Sequence, residues 1–223
     1  MSKYRIPDGY KNGFSLLINL SVEKQNELLT ILQKSKPGLL PPALGNFISF
    51  ELEWSIDDSF EIAKVIFSLY GLKNDESNKT IEILSDEFCN SLKTEFKDLD
   101  IEWDEFKNTL KSLMSFDDNI WLTFKALNLN SQYEKVFSEC RILTDIRPLF
   151  YDKLEKKLNN AIISHNLKIE YSCTGNKDEN IILTLTLDDL KKIKECITRA
   201  EKKEQGIKKS LKSNFNFIEL KNE

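Results

Sequence analysis

The sequence predicts an α+β fold in which an all-helical bundle precedes a three-stranded antiparallel sheet and a long C-terminal amphipathic helix. Three observations predict it. Apolar residues recur every three or four positions up to about residue 130, as on a helix. They then alternate with polar residues to about residue 187, as on a strand. The helical spacing returns in the C-terminal stretch. The predicted domains are therefore a helical bundle over 1–130 and a β-β-β-α domain over 131–223.

The helical part is expected to hold five or six helices, bounded by recognisable start and stop signals. Ser21 is a candidate N-cap for the helix that follows it, and Lys36-Pro37-Gly38 ends that helix. Ser55 together with Asp58 predicts another capped helix. Gly71 is placed to end that helix in a left-handed conformation.

Three stretches of alternating residues predict the strands, over 140–150, 163–173 and 181–187. A polar turn over 174–180 joins the last two into an antiparallel hairpin, and 150–160 is expected to be a helical or looped insertion. Asp188 and Asp189 favour the first turn of a helix directly after the third strand. The apolar face of the second strand is predicted to carry Ile163, His165, Leu167, Ile169, Tyr171 and Cys173.

The C-terminal helix carries an apolar seam about three heptads long and a strongly basic surface. We expect it to cover one face of the sheet and leave the other face uncovered. Its basic residues Lys202, Lys203, Lys208 and Lys209 are candidates for binding the phosphates of nucleic acid or of an anionic surface. The favoured interpretation is that these lysines form the solvated face of the helix and complement its negative C-terminal end. The seam is formed by Leu190, Ile193, Ile197, Ala200, Ile207 and Leu211.

Composition excludes several kinds of chemistry. The chain has 223 residues, a net charge of -4 and only 7 glycines, so glycine-rich phosphate loops and general affinity for nucleic acid are not expected. The four cysteines are widely separated and the single histidine, His165, has no serine or cysteine in a strained turn beside it. We therefore predict no catalytic residues, no metal and no cofactor. A hydrolase using Asp100, Asp104 and Asp118 is the least favoured alternative.

Targeting signals are not recognised in the sequence. No apolar run approaches the ~20 residues of a membrane-spanning helix, and the N-terminus does not have the pattern of a secretory signal. The expectation is a cytoplasmic protein with reduced cysteines and no transmembrane segment.

The first strand carries a possible polar anchor. Arg141, Asp145 and Arg147 share one face of it, where two arginines flank a carboxylate. They could hold a protein partner, or they could pair with Lys168 and Glu170 across the neighbouring strand. The sequence favours neither alternative.

The segment from Glu139 to Leu211 resembles the COMM domain. The resemblance is carried by Cys-Arg-Ile-Leu-Thr-Asp-Ile-Arg-Pro-Leu-Phe from position 140, Ile-Ile-Ser-His-Asn-Leu-Lys-Ile-Glu-Tyr from 162, and Ile-Ile-Leu-Thr-Leu-Thr-Leu-Asp-Asp-Leu from 181. It implies a helical N-terminal domain, three antiparallel strands and a C-terminal helix. It also implies a non-enzymatic scaffold subunit that dimerises through this domain and joins larger trafficking assemblies.

The residues point to dimerisation independently, because a thin sheet with one uncovered face needs a second copy to bury it. We therefore expect a homodimer, with other protein partners and with nucleic acid as the less favoured ligand. The predicted interface comprises Ile142, Ile146, Ile163, His165, Leu167, Ile169, Tyr171, Leu183, Leu185, Ile193 and Ile197.

Overall fold

The computed structural model describes residues 3–99, 101–131, 135–150, 160–173 and 177–222. It confirms the predicted α+β class, with helices, a three-stranded antiparallel sheet and a long C-terminal helix. The chain divides into two compact units. The first comprises residues 1–129 and 218–223, and the second comprises residues 130–217.

The first unit, the helical unit, is built from seven α-helices among its described residues, where the sequence predicted five or six. The additional helix at the N-terminus was not predicted because it follows Pro7 and has no side-chain cap. The helices are α1 (Asp8–Ile18), α2 (Val22–Lys34), α3 (Pro41–Leu52), α4 (Ile56–Asp75), α5 (Ile81–Glu95), α6 (Trp103–Leu113) and α7 (Leu122–Asn130), with a π-helical turn over Asp117–Trp121 before α7.

The predicted helix signals were partly right. The Ser21 side chain accepts a hydrogen bond from the Lys24 N–H (3.3 Å) and caps α2 as expected. Ser55 stands at the N-cap of α4, but its side chain makes no capping hydrogen bond. The prediction that Gly71 ends α4 was wrong, because α4 continues to Asp75. Leu72 packs against the core in that last turn, and this burial stabilises the continuation of the helix beyond Gly71.

Helix α4 lies at the centre of the helical core, and two glycines allow its neighbours to approach closely. A Cβ at Gly13 of α1 would lie 2.6 Å from Val65 Cγ2, and one at Gly45 of α3 would lie 2.9 Å from Phe60 Cα. Both distances are shorter than carbon atoms tolerate. Larger residues at these positions would push α1 and α3 away from α4.

Buried polar side chains connect α4 and α2 to the segment around the π-helical turn. The Tyr70 hydroxyl donates to the Leu113 carbonyl (2.7 Å), and burial raises the pKa of Tyr70 above its ordinary value. The Asn119 amide donates to the Leu32 carbonyl (2.6 Å). Both of these buried polar groups therefore have a partner, which limits the cost of removing them from water.

The last residues of the chain belong to the helical unit, although the sequence assigned them to the second domain. Lys221 forms a parallel bridge with Leu39, in which its carbonyl accepts from the Leu40 N–H (2.9 Å). Gly38 stands beside this bridge with a φ of 106°, a conformation that glycine adopts at no steric cost. A Cβ at Gly38 would also collide with the carbonyl oxygen of Glu219.

The second unit, the sheet unit, contains β1 (Lys135–Pro148), β2 (Ala161–Cys173), β3 (Lys177–Leu185) and helix α8 (Leu187–Leu211). The strands are antiparallel in the order β1-β2-β3, so β2 is central. β1 begins five residues earlier than predicted and ends at Pro148, and β3 begins at Lys177 and ends at Leu185. Of the predicted insertion and turn, residues 151–159 and 174–176 lie outside the described residues.

Helix α8 begins with a capping box that the sequence analysis missed. The Thr186 hydroxyl accepts from the Asp189 N–H (3.3 Å), and the Asp189 carboxylate accepts from the Thr186 N–H (3.0 Å). Thr186 is the whole connection between β3 and α8, whereas returning a helix onto its sheet usually takes about two to six residues.

The expected cover of the sheet by α8 is therefore wrong. The contacts of α8 with the sheet are sparse and fall mainly on β3, and no residue of α8 is buried. The short connection explains this difference, because it leaves too little chain for α8 to turn back across the strands.

Candidate interaction surface

One face of the sheet is mainly apolar, and we call it the apolar face. The strand register places Leu167 of β2 between Ile142 of β1 and Leu183 of β3. Two positions further along β2, Ile169 lies between Cys140 and Ile181 in the same way. The apolar face consists of Phe137, Cys140, Ile142 and Ile146 on β1, Ile163, Leu167, Ile169 and Tyr171 on β2, and Ile181, Leu183 and Leu185 on β3, together with the polar residues Thr144, His165 and Glu179.

The sheet unit leaves most of this face in solvent. Ile146 is 71% exposed and Leu183 is 40% exposed, whereas Leu167 in the central strand is only 9% exposed. Among the described residues of the sheet unit, Ser164 and Leu167 are the buried ones. A domain with so little buried apolar area lacks the main contribution to folding stability. The apolar face is therefore the principal candidate for a binding surface.

The predicted interface residues of the sheet come together on this face. Ile142, Ile146, Ile163, His165, Leu167, Ile169, Tyr171, Leu183 and Leu185 all occupy it in the observed register. The sequence located them because a period of two separates the faces of a strand. Their participation in a dimer remains a prediction.

His165 lies in the apolar face and is half-buried. Its Nδ1 lies 2.9 Å from the hydroxyl oxygen of Thr144, which is the residue directly opposite His165 on β1. This contact holds the imidazole ring in place within the sheet. No serine or cysteine nucleophile forms a hydrogen bond with it among the described residues.

Sequence reasoning missed three members of the apolar face, Phe137, Cys140 and Ile181. A bulge between Phe137 and Glu139 shifts the register of β1 by one residue and breaks the alternation there. Ile181 was left out of the predicted interface, although the alternation over 181–187 already places it on the same face as Leu183. In the structure it pairs with Ile169, whereas Ile182 lies on the opposite face.

The opposite face of the sheet is mainly polar and carries the predicted anchor. Arg141, Asp145 and Arg147 share this face of β1, as expected. Ser164 lies opposite Asp145 and Lys168 lies opposite Arg141, so among the described residues the suggested ion pair between Asp145 and Lys168 does not form. The Asp145 carboxylate accepts from the Asn166 amide (2.8 Å). Glu170 pairs with Lys168 on its own strand (2.5 Å).

The charged residues on this face shift the pKa of Glu170. The bond from Lys168, with a smaller contribution from Arg141, holds the pKa of Glu170 below its ordinary value. Arg141 therefore interacts with Glu170 through space, while among the described residues neither Arg141 nor Arg147 forms a direct ion pair. The anchor residues remain available to charges outside the sheet unit.

Helix α8 presents a second apolar surface, the seam. Leu190 and Ile193 are half-buried, whereas Ile197, Ile207 and Leu211 are exposed. At 100° per residue, Lys202 and Lys209 lie on the side opposite the seam, and Lys203 and Lys208 flank it. Lys208 forms an ion pair with Glu204 (2.7 Å). The lysines therefore surround the helix and do not converge on one point as a phosphate clamp requires.

The acidic residues considered for hydrolysis do not form a site. Asp100 lies outside the described residues. Asp104 is in the first turn of α6, and Asp118 follows the end of that helix in the π-helical turn. The length of α6, about 16 Å, separates these two carboxylates. Within the described ranges, no group of three or more histidine, cysteine or acidic side chains is arranged to hold a metal ion.

None of the helices in the described part of the chain combines the length and the apolar character needed to cross a membrane. Comparison with known proteins found no family whose sequence model matches this chain and no matching curated protein.

Proposed function

We propose that this protein is a non-enzymatic scaffold of the cytoplasm that dimerises through its sheet unit, as the resemblance to the COMM domain implies. The observation that carries the proposal is the apolar face. It holds large aliphatic side chains on all three strands, and the helix of the same chain does not cover it. A second copy supplies the missing cover.

The energetic argument rests on the exposed side chains of this face. Burial contributes about 25 cal/mol for each Å² of apolar surface, so half-exposed isoleucines and leucines contribute roughly 1 kcal/mol each. Six such positions give on the order of 5 kcal/mol, which is comparable to the whole stability of a small domain. The exposed positions are Phe137, Ile142, Ile146, Ile163, Ile181 and Leu183.

The seam of α8 makes a second copy the appropriate occupant. The same chain contains an uncovered apolar sheet face and an uncovered apolar helix, and its one-residue connection at Thr186 keeps the two apart. In a two-fold dimer, α8 of each copy lies on the apolar face of the other. Each interaction then occurs twice, which is the defining property of a symmetric interface.

A pair of neighbouring residues on β3 provides the test. Leu183 belongs to the apolar face, whereas Ile182 points to the opposite face and is the more exposed of the two, at 61% against 40%. Leu183→Asp should dissociate the dimer, because it places a carboxylate in the buried interface. Ile182→Asp should not.

The measurement is the molar mass of each full-length variant by light scattering at low micromolar concentration. A dimer that persists in Leu183→Asp at concentrations where the unmodified chain forms no species heavier than a dimer, or that is lost equally in both variants, would contradict the proposed interface. Circular dichroism would establish that both variants retain their strands and helices.

A second candidate function is the binding of an anionic surface or nucleic acid by α8. It is favoured by one observation: Lys202 and Lys209 lie opposite the seam, so a dimer formed through the seam leaves them in solvent. Such binding should weaken steeply as salt rises. Replacing Lys202, Lys203, Lys208 and Lys209 with glutamine should abolish it. Binding that is unchanged by these substitutions would exclude this function.

A further inference from the structure

The outer edge of β1 is a second surface with the features of an interface. The strand order β1-β2-β3 leaves β1 with no strand on its other side in the described part of the sheet. β1 spans 14 residues, and from Phe137 to its end all its residues are exposed. The backbone N–H and C=O groups along such an edge can accept another strand.

The charges on β1 have a pattern that is complementary to itself. On the polar face, Glu139 and Arg141 precede Leu143, and Asp145 and Arg147 follow it, so the signs run minus, plus, neutral, minus, plus. Reversal of the strand about Leu143 places each charge opposite one of the other sign. An antiparallel copy of β1 presents this reversed order.

The charges are also poorly compensated within their own sheet. Directly across from Glu139 lies Glu170, and directly across from Arg141 lies Lys168, so both cross-strand pairs bring like charges together. Like charges at such positions are destabilising. Glu139, Arg141 and Arg147 form no ion pair with the described residues, and opposite charges on the outer side of β1 would relieve the repulsion.

We propose that β1 pairs antiparallel with β1 of a second copy, in the register that places Leu143 opposite the partner's Leu143. Arg141 then faces the partner's Asp145, and Glu139 faces the partner's Arg147. The two-fold axis repeats both pairs. The result is a continuous six-stranded sheet, through an interface separate from the apolar face and independent of the proposed function.

Neighbouring registers do not reproduce this pairing. A register centred on Ile142 opposes Glu139 to the partner's Asp145, and one centred on Thr144 opposes Arg141 to the partner's Arg147. Both place like charges together, which costs several times the thermal energy at an interface. Among the registers that keep the apolar face on one side, the one centred on Leu143 pairs all four charges with opposite signs.

A charge-reversal experiment with full-length protein tests the proposal. Arg141→Asp and Asp145→Arg each create like-charge contacts across the edge, so each should weaken the contact at least about tenfold. An equimolar mixture of the two variants should restore it, because every introduced charge then meets its opposite. Arg141→Asp also places an acid beside Lys168, so the fold of this variant is not threatened.

Sedimentation velocity gives the readout. For the unmodified chain, we expect the edge contact to join the apolar-face dimers into heavier species as concentration rises. Each single variant should lack the heavier species, and the mixture should regain them. Charge reversal that leaves the size distribution unchanged, or a mixture that does not regain the lost species, would overturn the edge pairing.

Disulfide cross-linking tests the register directly, in a chain whose exposed or half-buried cysteines Cys140, Cys173 and Cys196 are replaced by serine. Leu143→Cys should form a covalent dimer under mild oxidation, because directly opposed residues have the spacing that a disulfide needs. Ile182→Cys is the matched control, since it lies on the same face of the sheet with similar exposure, 61% against 55%, but on β3. Cross-linking of Leu143→Cys should be at least about tenfold faster. Equal rates would exclude the register.

The two interfaces can fail separately. If Leu183→Asp leaves the dimer intact while charge reversal dissociates it, the apolar face is not the interface and the edge is. If Leu183→Asp dissociates the protein to monomers and charge reversal has no effect, the proposed function stands and the edge pairing is excluded.

Discussion

Leu167 and Ile142 are direct partners across the β1–β2 pair, yet Leu167 is 9% exposed and Ile142 is 49% exposed. The difference follows from their strands. Leu167 has neighbours on both sides in the plane of the sheet, whereas Ile142 has a neighbour on one side only. Among the described residues of the sheet unit, no other side chain buries Ile142 to the same degree, so its further burial requires another surface.

The seam of α8 should contribute to the dimer as strongly as the sheet does. Ile197 lies on the seam and is exposed in the single chain, so Ile197→Asp should affect association more than folding. We expect the dimer dissociation constant to rise at least about tenfold, which corresponds to roughly 1.4 kcal/mol. Sedimentation equilibrium measures this constant.

The control for this prediction lies on the other side of the same helix. Lys202→Gln combined with Lys209→Gln changes two charges opposite the seam and should leave the dissociation constant unchanged. A larger effect from the lysine substitutions than from Ile197→Asp would show that α8 associates through its basic side.

The close contact between α1 and α4 should make Gly13 intolerant of any side chain. Gly13→Ala should destabilise the helical unit by about 1 to 3 kcal/mol, because its Cβ would overlap Val65 Cγ2. Urea denaturation followed by tryptophan fluorescence measures this change selectively. All three tryptophans, Trp54, Trp103 and Trp121, belong to the helical unit.

Gly9 provides the comparison, since it lies in the same helix and a Cβ added to it would meet nothing within 4 Å. Gly9→Ala should leave stability unchanged or raise it by up to about 1 kcal/mol, the usual difference between glycine and alanine in a helix. Equal destabilisation by both substitutions would mean that close packing against α4 is not what makes position 13 intolerant of a side chain.

An ionic cluster should make the stability of the helical unit depend on pH. Lys3 donates to one carboxylate oxygen of Glu87 (2.8 Å) and Lys79 to the other (2.9 Å), and these bonds lower the pKa of Glu87 to about 2. The ordinary pKa of glutamate is higher, so the unfolded chain takes up the proton first. The stabilisation is fully present above a pH of about 4.5 and disappears as the pH falls towards 2.

Comparison with Glu87→Gln isolates this contribution. The variant should unfold at lower urea concentration than the unmodified protein at pH 7, and the difference should shrink as the pH falls from about 5 to about 2. Glu27→Gln is the control, because Glu27 is exposed on α2 and forms no ion pair with the described residues. A difference that is constant across this pH range would rule out the ionic contribution of Glu87.

The sequence predicted the two faces of the sheet well and its ends poorly. Alternation placed Ile163, Leu167 and Ile169 on one face because each step along a strand reverses the direction of the side chain. It missed Phe137, since the bulge before Glu139 depends on the pairing of β1 with β2 and leaves no local signal. Strand ends depend on neighbouring strands in the same way.

In the helices, too, some predictions from local sequence signals were right and others were wrong. The Ser21 cap could be predicted because a cap acts within one turn. The position of α8 could not be predicted, since its apolar seam fits any apolar surface and the sequence pattern does not say which surface that is. Gly71 failed as a stop signal because packing of Leu72 overrides the weak helix-ending tendency of one glycine.

The central claim is that the sheet unit is completed by a second copy of the chain. The measurement that tests it most directly is the molar mass of the unmodified full-length protein by light scattering at low micromolar concentration. Dimerisation through the sheet unit predicts an even multiple of 26.0 kDa, with no monomer in the main peak. A folded protein that remains at 26.0 kDa over the whole concentration range would contradict it.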